Sequence, residues 1–294
     1  MKFISYKTGE VSHIGIISKD GNHIININRS LNKNYRSMNE FIAFHKEEEI
    51  SRLQQVYENN SSFDAVLSKV KLSAPIEKPL HDIICVGLNY KAHIAEGNRG
   101  LNTPESDPKA CVYFAKRAIH ITGPEEEIES RFDIDENLDY EAELAVIIGK
   151  TGKNIPKESV YDYIFGYSVF NDFSSRKIQR GHIQWLRGKS LDSYSAMGPC
   201  IVHKSALPFP LSLDVKSYVN GEIRQSSNTS LLIYGIDHII SEFSNGITLE
   251  AGDIIATGTP AGTGMGFTPP KYLKKGDIVE CEISQIGTLK NTIK

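Results

Sequence analysis

The most informative stretch of this sequence is Asp139-Tyr140-Glu141-Ala142-Glu143-Leu144-Ala145-Val146-Ile147-Ile148-Gly149, which predicts a strand that carries acidic side chains. Alternate side chains of a strand share one face. The predicted apolar face comprises Ala142, Leu144, Val146 and Ile148. Glu141 and Glu143 point together from the opposite face. If that face is buried, the two carboxylates need a cation or a shared proton, whereas an edge strand would leave both in water.

A third carboxylate strengthens the interpretation of this stretch as a metal site. The apolar run Phe165–Phe170 ends at Asn171-Asp172. An acid at the tip of a buried strand lies where binding sites are often built, and hard divalent ions such as Mg²⁺ or Mn²⁺ prefer oxygen ligands. Three such ligands would leave positions open for water and substrate. The alternative is that Asp172 caps the short helix predicted at Ser174–Gln179.

Working outward, the chain is rich in short strands and poor in helices. Helices are predicted at Met38–Tyr57 and Leu231–Phe243, and hairpins around Asp20-Gly21-Asn22 and Asn220-Gly221. The strands predicted beyond residue 80 are Ile83–Val86, Val112–Phe114, Ala142–Ile148, Ile164–Phe170, Leu213–Val219, Ile254–Thr257 and Val279–Ile283. This pattern favours an α+β protein with a barrel, roll or sandwich. We expect a small N-terminal domain over residues 1–75 and a larger domain over residues 76–294.

Two further segments carry side chains suited to catalysis. His93 and Glu96 are three residues apart, so on a helix they share a face, and the carboxylate would make the imidazole a better general base. A solvent-exposed pair is the alternative. Lys189 and the glycines of Thr257–Gly266 resemble phosphate-binding loops, but neither has the full glycine spacing. The exposed amides of the second loop could still cradle a carboxylate.

Composition excludes several classes of function. Lys and Arg number 33 against 36 Asp and Glu, so the net charge of −3 gives no electrostatic basis for binding nucleic acid or an anionic membrane. The four cysteines form no C-x-x-C pair, which argues against a zinc knuckle or a disulfide framework. The first residues, MKFISYKTGE, lack the apolar core of a signal peptide. We therefore expect a cytoplasmic protein with no membrane partner.

Taken in order, seven segments resemble the fumarylacetoacetate hydrolase family over residues 75–294. They are ICVGLNYKAHIAE, VYFAKRAIHITGP, DYEAELAVIIGK, FGYSVFNDFSSRKIQ, GKSLDSYSAMGP, VNGEIRQSSNT and LEAGDIIATGTPAGTG. The resemblance implies a mixed β-roll around a divalent metal, Mg²⁺ or Mn²⁺, preceded by a small N-terminal α+β domain, in a homodimer. The C-terminal segment is most similar to the bacterial branch that includes oxaloacetate decarboxylases.

The resemblance also assigns roles to individual residues. The metal ligands would be Glu141, Glu143 and Asp172; the catalytic groups His93, Glu96 and Lys189; and the substrate-binding groups Arg176, Gln179, Gly258 and Thr259. The sequence departs from the family pattern at Lys177, where an acid is usual, and at Leu88, where several relatives carry a basic residue. Gly97–Lys109 has no obvious counterpart, which leaves the identity of the substrate open.

The reaction implied is metal-dependent cleavage of a C–C bond in a small 2-oxo acid through a pyruvate enolate. Hydrolysis of an acylpyruvate would use His93 and Glu96 to activate water, whereas decarboxylation of oxaloacetate would need no attacking water. Isomerisation or tautomerisation of a similar dioic acid is an alternative, because it uses the same electron sink. A non-enzymatic member of the fold that binds a protein partner is the third hypothesis.

Overall fold

The computed structural model describes residues 1–59, 63–99 and 108–294. Its N-terminal part contains five strands and three helices. The strands are β1 (Lys2–Thr8), β2 (Val11–Ile17), β3 (His23–Asn26), β4 (Ala65–Val66) and β5 (Lys71–Ser73). The helices are α1 (Ile27–Leu31), α2 (Met38–Phe44) and α3 (Glu47–Asn59). The predicted hairpin around Asp20-Gly21-Asn22 is confirmed, because β2 and β3 pair antiparallel.

The rest of the chain consists mainly of strands joined by short helices. Its strands are β6 (Ile83–Gly87), β7 (Val112–Lys116), β8 (Glu127–Ile128), β9 (Leu138–Asp139), β10 (Ala142–Ile148), β11 (Ile164–Asp172), β12 (Ser174–Ser175), β13 (Ser195–His203), β14 (Asp214–Val219), β15 (Glu222–Asn228), β16 (Ile254–Ala256), β17 (Ile278–Ile283) and β18 (Gly287–Ile293). Its helices are α4 (Lys91–Arg99), α5 (Val160–Tyr163), α6 (Arg176–Gly181), α7 (Leu186–Lys189) and α8 (Ile236–Phe243). No helix among these described residues is long and apolar enough to cross a bilayer.

An eleven-stranded mixed sheet forms the framework. Its order is β4-β3-β2-β1-β13-β11-β10-β16-β6-β7, with β5 paired to β1. Strand β1 pairs antiparallel with β13, where Phe3 lies opposite Ile201, so residues before and after position 75 share one sheet. The division into two domains at residue 75 stays a prediction.

Strand β10, the stretch that the sequence singled out, lies inside this sheet. It pairs antiparallel with β11 on one side and β16 on the other, and all seven of its residues are buried. The edge-strand alternative is therefore wrong. The two faces of the strand belong to different hydrophobic cores. Leu144 packs in one core with residues of β14, β17 and β18, whereas Ala145 packs in the other with residues of the N-terminal helices.

A second sheet of five strands, in the order β15-β14-β17-β18-β8, covers one face of the large sheet. Val215, Val279 and Leu289 of this sheet share a hydrophobic core with β10 and β11. A two-stranded sheet of β9 and β12 lies beside the site described below. The mixed α+β architecture predicted from the sequence is confirmed. The Asn220-Gly221 hairpin is also confirmed, since both residues take the positive φ angles that this turn requires.

Two predicted helices are shorter in the structure. The helix predicted over Met38–Tyr57 breaks between α2 and α3, because His45 is extended and the Glu49 carboxylate accepts a hydrogen bond from the Lys46 amide. The helix predicted from Leu231 begins only at Ile236. There the Asn89 side chain accepts a hydrogen bond from the Tyr234 amide and keeps this part of the chain out of the helix.

Candidate functional site

Three carboxylates meet where β10 and β11 pair. Glu141 immediately precedes β10, Glu143 is its second residue, and Asp172 is the last residue of β11. The strand register brings them together, since the Asp172 amide donates to the Glu141 carbonyl at 2.9 Å. One oxygen from each carboxylate lies within 4.8 Å of the other two, and all three residues are buried. The structure thus brings together the three acids predicted as metal ligands.

Two buried lysines neutralise part of this charge. The Lys189 Nζ atom lies 2.7 Å from Glu141 Oε2 and 2.8 Å from Asp172 Oδ2. Lys116 Nζ lies 2.6 Å from Asp172 Oδ1 and also donates to the Phe173 carbonyl. Burial would lower the pKa of Lys189, but Asp172 and Glu141 outweigh that effect and raise it. Burial lowers the pKa of Lys116, and Asp172 offsets this only in part.

Arg176 links Glu141 to a fourth acid. Its Nη2 atom lies 2.6 Å from Glu141 Oε1 and its Nε atom 2.9 Å from Asp139 Oδ2. Its Nη1 atom donates to Gln179 Oε1 at 3.0 Å. Burial would raise the pKa of Glu141, but the positive charges of Lys189 and Arg176 outweigh it and lower that pKa. Glu141 is therefore held ionised by its two cationic neighbours.

Glu143 lacks an ion pair of this kind, and the more distant charge of Lys189 offsets its burial only in part. Its Oε2 atom accepts a hydrogen bond from the Gly258 amide at 2.8 Å, and no lysine or arginine of the described residues forms an ion pair with it. Burial raises its pKa well above the usual range, and the charges of Asp172 and Glu141 add to the effect. A buried carboxylate beside two others is stabilised as an anion by a cation. The donor set, all oxygen, fits a hard divalent ion.

The dyad predicted from the sequence lies on α4. His93 Nδ1 is 3.1 Å from Glu96 Oε2, and both residues are buried, so a solvent-exposed pair is excluded. Two groups of the glycine-rich loop hold the Glu96 carboxylate: the Gly262 amide at 2.9 Å and the Thr263 hydroxyl at 3.2 Å. A carboxylate fixed in this way orients the imidazole and fixes which of its nitrogens carries a proton.

Gly266 offers a test of the dyad. A Cβ atom at this position would lie 1.8 Å from Glu96 Oε1, so we expect Gly266→Ala to displace the carboxylate from His93 and lower kcat roughly tenfold or more. The control is Gly97→Ala on α4, where no described atom lies within 4 Å of the added Cβ. Steady-state kinetics of both variants would check this. Equal activity of the two would mean that the carboxylate does not assist His93.

A small cavity of about 80 Å³ lies in front of the carboxylates. The predicted residues that line it are His93, Glu141, Glu143, Arg176, Gln179, Lys189 and Thr259. Phe114, Trp185 and Met265 supply apolar walls. Glu96 lies behind His93, and Gly258 contributes its amide to Glu143. The structure thus gathers the predicted site residues at one place, while their individual roles stay predictions.

Three contributors carried no predicted role. Lys116 pairs with Asp172, Asp139 accepts hydrogen bonds from the Gly264 and Met265 amides, and Gln225 donates to Thr259 Oγ1 at 2.7 Å. Asp139 continues the alternation of Glu141 and Glu143, so its spacing was an available signal. Lys116 is the last residue of β7 and lies on the same face of the strand as Phe114. This alternation was a weaker signal for a functional role.

Comparisons with known proteins agree with this geometry. A family model described as the C-terminal part of fumarylacetoacetate (FAA) hydrolase matches residues 82–294. Oxaloacetate tautomerase YisK of Bacillus subtilis strain 168 is 48% identical over 232 residues, which are 79% of this chain and 76% of that protein.

Solved structures resemble the whole chain. A fumarylacetoacetate hydrolase from the psychrophilic Exiguobacterium antarcticum is 37% identical with a TM-score of 0.81, covering 100% of this chain and 99% of that one. A 5-carboxymethyl-2-hydroxymuconate delta-isomerase from Mycobacterium smegmatis is 30% identical with a TM-score of 0.75 over the same shares. With its acid cluster, dyad and sheet order, the chain belongs to the fumarylacetoacetate hydrolase family of enzymes.

Proposed function

We propose that this chain is a tautomerase that interconverts the keto and enol forms of a small 2-oxo dioic acid of the oxaloacetate type. The observation that carries the proposal is one small cavity lined both by an enolate-stabilising cluster, with Lys189 at its centre, and by the His93 imidazole. Tautomerisation needs these two elements and no more. The relative named oxaloacetate tautomerase, 48% identical, supports this reaction over the others.

The size of the cavity supports a short substrate. The cavity that the described residues line measures about 80 Å³, so we propose a dioic acid of few carbon atoms as the substrate. Arg176 and Gln179 line the same wall, so a guanidinium and an amide are available to orient a carboxylate. The Thr259 hydroxyl donates to the Ala142 carbonyl at 3.0 Å, so it would have to turn toward the substrate to hold a second substrate oxygen. We also infer that the chain acts as a homodimer in the cytoplasm, which gel filtration and cell fractionation would test.

The residues supply the proton transfers. Glu141, Glu143 and Asp172 would hold Mg²⁺ or Mn²⁺, which supplies Lewis-acid stabilisation of negative charge on the substrate oxygens. His93, oriented by Glu96, removes a proton from the carbon beside the 2-oxo group. Lys189 places a positive charge near the enolate oxygen. The proton that His93 removed then returns to that oxygen, directly from the imidazolium or by exchange with solvent, which gives the enol, so the substrate keeps its composition and no C–C bond breaks.

Hydrolytic cleavage of an acylpyruvate is a second candidate, because the buried His93–Glu96 dyad could also activate water. Proton NMR separates the reactions. Oxaloacetate with Mg²⁺ should reach keto–enol equilibrium faster with enzyme than without it, and pyruvate should form no faster than in the enzyme-free control with the same metal. Pyruvate formed faster than in that control would instead establish a decarboxylase, and pyruvate plus acetate from acetylpyruvate a hydrolase. Either product without faster enol–keto exchange would overturn the tautomerase proposal.

His93→Ala should slow the tautomerisation by about 10²-fold, since positioned proton transfer contributes at least that much. The binding of Mg²⁺ measured by calorimetry should stay unchanged, because His93 is outside the acid cluster. An unchanged rate in this variant would leave His93 a structural role only.

A further inference from the structure

A second group of ligand-type side chains lies away from the acid cluster. Cys111 immediately precedes β7, and His238 and Glu242 lie on α8, four residues apart. One donor atom from each residue lies within 4.8 Å of the other two. None of the three lines the cavity in front of the carboxylates. The proposed function therefore leaves this group without a role.

The chemistry of the group differs from that of the acid cluster. A thiolate, an imidazole and a carboxylate form a set that borderline ions such as Zn²⁺ prefer, whereas three carboxylates suit Mg²⁺. His238 Nε2 lies 3.4 Å from Glu242 Oε2, a separation that two ligands of one ion can adopt. Positions four apart on a helix place both donors on the same face.

The His238 ring is already oriented for a ligand. Its Nε2 atom is buried and forms no hydrogen bond with the described residues, although the side chain as a whole is 39% exposed. The ring stacks on Tyr234, with the centroids 4.9 Å apart and the planes at 26°. A buried ring nitrogen that forms no hydrogen bond of good geometry, and that lies within 4.8 Å of a carboxylate oxygen and a thiol, is placed to bind a cation together with them.

Neighbouring groups hold the Glu242 carboxylate in place. The Tyr113 hydroxyl donates to Glu242 Oε2 at 2.8 Å, and the Tyr113 ring packs edge-on against Phe243. Hydrogen bonds of this kind orient the ligands of metal sites. Glu242 lies in the last turn of α8, where the helix dipole favours a positive charge. A surface cleft of about 370 Å³, lined by His238 and Glu242, provides a route for an ion.

We propose that Cys111, His238 and Glu242 bind a borderline divalent ion of the Zn²⁺ type, with water completing the tetrahedron. Cys111 binds as the thiolate, so its proton passes to solvent as the metal–sulfur bond forms. The ion joins the start of β7, the edge strand of the large sheet, to helix α8. The ion takes no part in the proposed tautomerisation, because the group is separate from the cavity and from the dyad.

Cobalt substitution tests the site, because sulfur bound to Co²⁺ gives a charge-transfer band in the near ultraviolet that oxygen ligands do not. The full-length protein, saturated with Mg²⁺ to fill the acid cluster, would be titrated with Co²⁺ alone. We expect one equivalent to produce the band and Zn²⁺ to abolish it. Cys111→Ser should lack the band, whereas Cys200→Ala and Glu143→Gln should keep it. Circular dichroism would confirm that each variant is folded.

Two further variants sharpen the result. His238→Ala should lower the affinity for Co²⁺ and change the band, and Tyr113→Phe should weaken binding roughly 10- to 100-fold with the band intact. A folded wild-type protein that shows no charge-transfer band at saturating Co²⁺ would overturn the proposal. A band that persists in Cys111→Ser would overturn it as well, because the sulfur would then come from another cysteine. Tautomerase activity decides neither outcome.

Discussion

Glu143→Gln should abolish catalysis without weakening the metal-free fold. The glutamine keeps the shape of the side chain and can still accept the Gly258 amide hydrogen bond, but it removes the one carboxylate of the cluster that has no cationic partner. We expect activity to fall by about 10³-fold or more, since a bound metal supplies several kcal/mol of stabilisation to the transition state. Stability in chelator should equal or exceed that of the wild type, because the amide replaces a buried carboxyl group whose ionisation is unfavourable when no metal is bound.

Asp172→Asn is the matched control for that result. Its carboxylate pairs with Lys116 and Lys189, so the amide leaves two buried ammonium groups with fewer partners. This variant should also lose activity, but its metal-free form should be less stable by about 3–5 kcal/mol. Urea unfolding in chelator and Mg²⁺ calorimetry would compare the two. Equal destabilisation of both variants would contradict the view that Glu143 alone lacks compensation.

Lys189→Met should lower the free energy of unfolding of the metal-free protein and at the same time raise its affinity for Mg²⁺. The ammonium group lies between Glu141 Oε2 and Asp172 Oδ2, so it stabilises both carboxylates when no metal is bound. Its removal should cost about 3 kcal/mol of stability or more in chelator, since breaking a buried ion pair leaves an uncompensated charge. The same loss makes the cluster more negative, so Mg²⁺ should bind more tightly while the rate of the proposed tautomerisation falls.

Unfolding of Lys189→Met with and without Mg²⁺ would check this. Mg²⁺ should raise the free energy of unfolding by more in the variant than in the wild type, because it replaces the missing positive charge. Lys116→Met provides the comparison, since Lys116 contacts Asp172 but does not line the cavity. If Lys189→Met binds Mg²⁺ more weakly than the wild type, then the lysine orders the carboxylates and does not compete for their charge.

The local pattern of the sequence was sufficient to find the centre of the site. The alternation of Glu141 and Glu143 depends only on the two-residue period of a strand, and the structure keeps both carboxylates on one side of β10. The resemblance supplied the partners that lie far away in sequence, such as Lys189. Lys116 was missed because its role depends on where β7 lies relative to Asp172, which no local pattern specifies.

Pairing between distant segments also limited how much of the fold could be predicted from the sequence. The hairpins followed from their turn residues, whereas the pairing of β1 with β13 joins positions about 200 residues apart. The first residue of α8 also depends on a distant contact, the hydrogen bond that the Tyr234 amide donates to the Asn89 side chain. These features arise from contacts between distant segments, so propensity alone could not locate them.

The contact between β1 and β13 has a practical consequence for anyone who divides the chain. A recombinant fragment cut to the family match, residues 82–294, would lack β1, β2 and β5. The end of β13, at Ile201, Val202 and His203, would then present open backbone groups, and Phe165 would lose its contact with Phe3. Exposed strands of this kind recruit other chains. Such a fragment would be prone to aggregate, so expression trials and activity assays should retain the first residues.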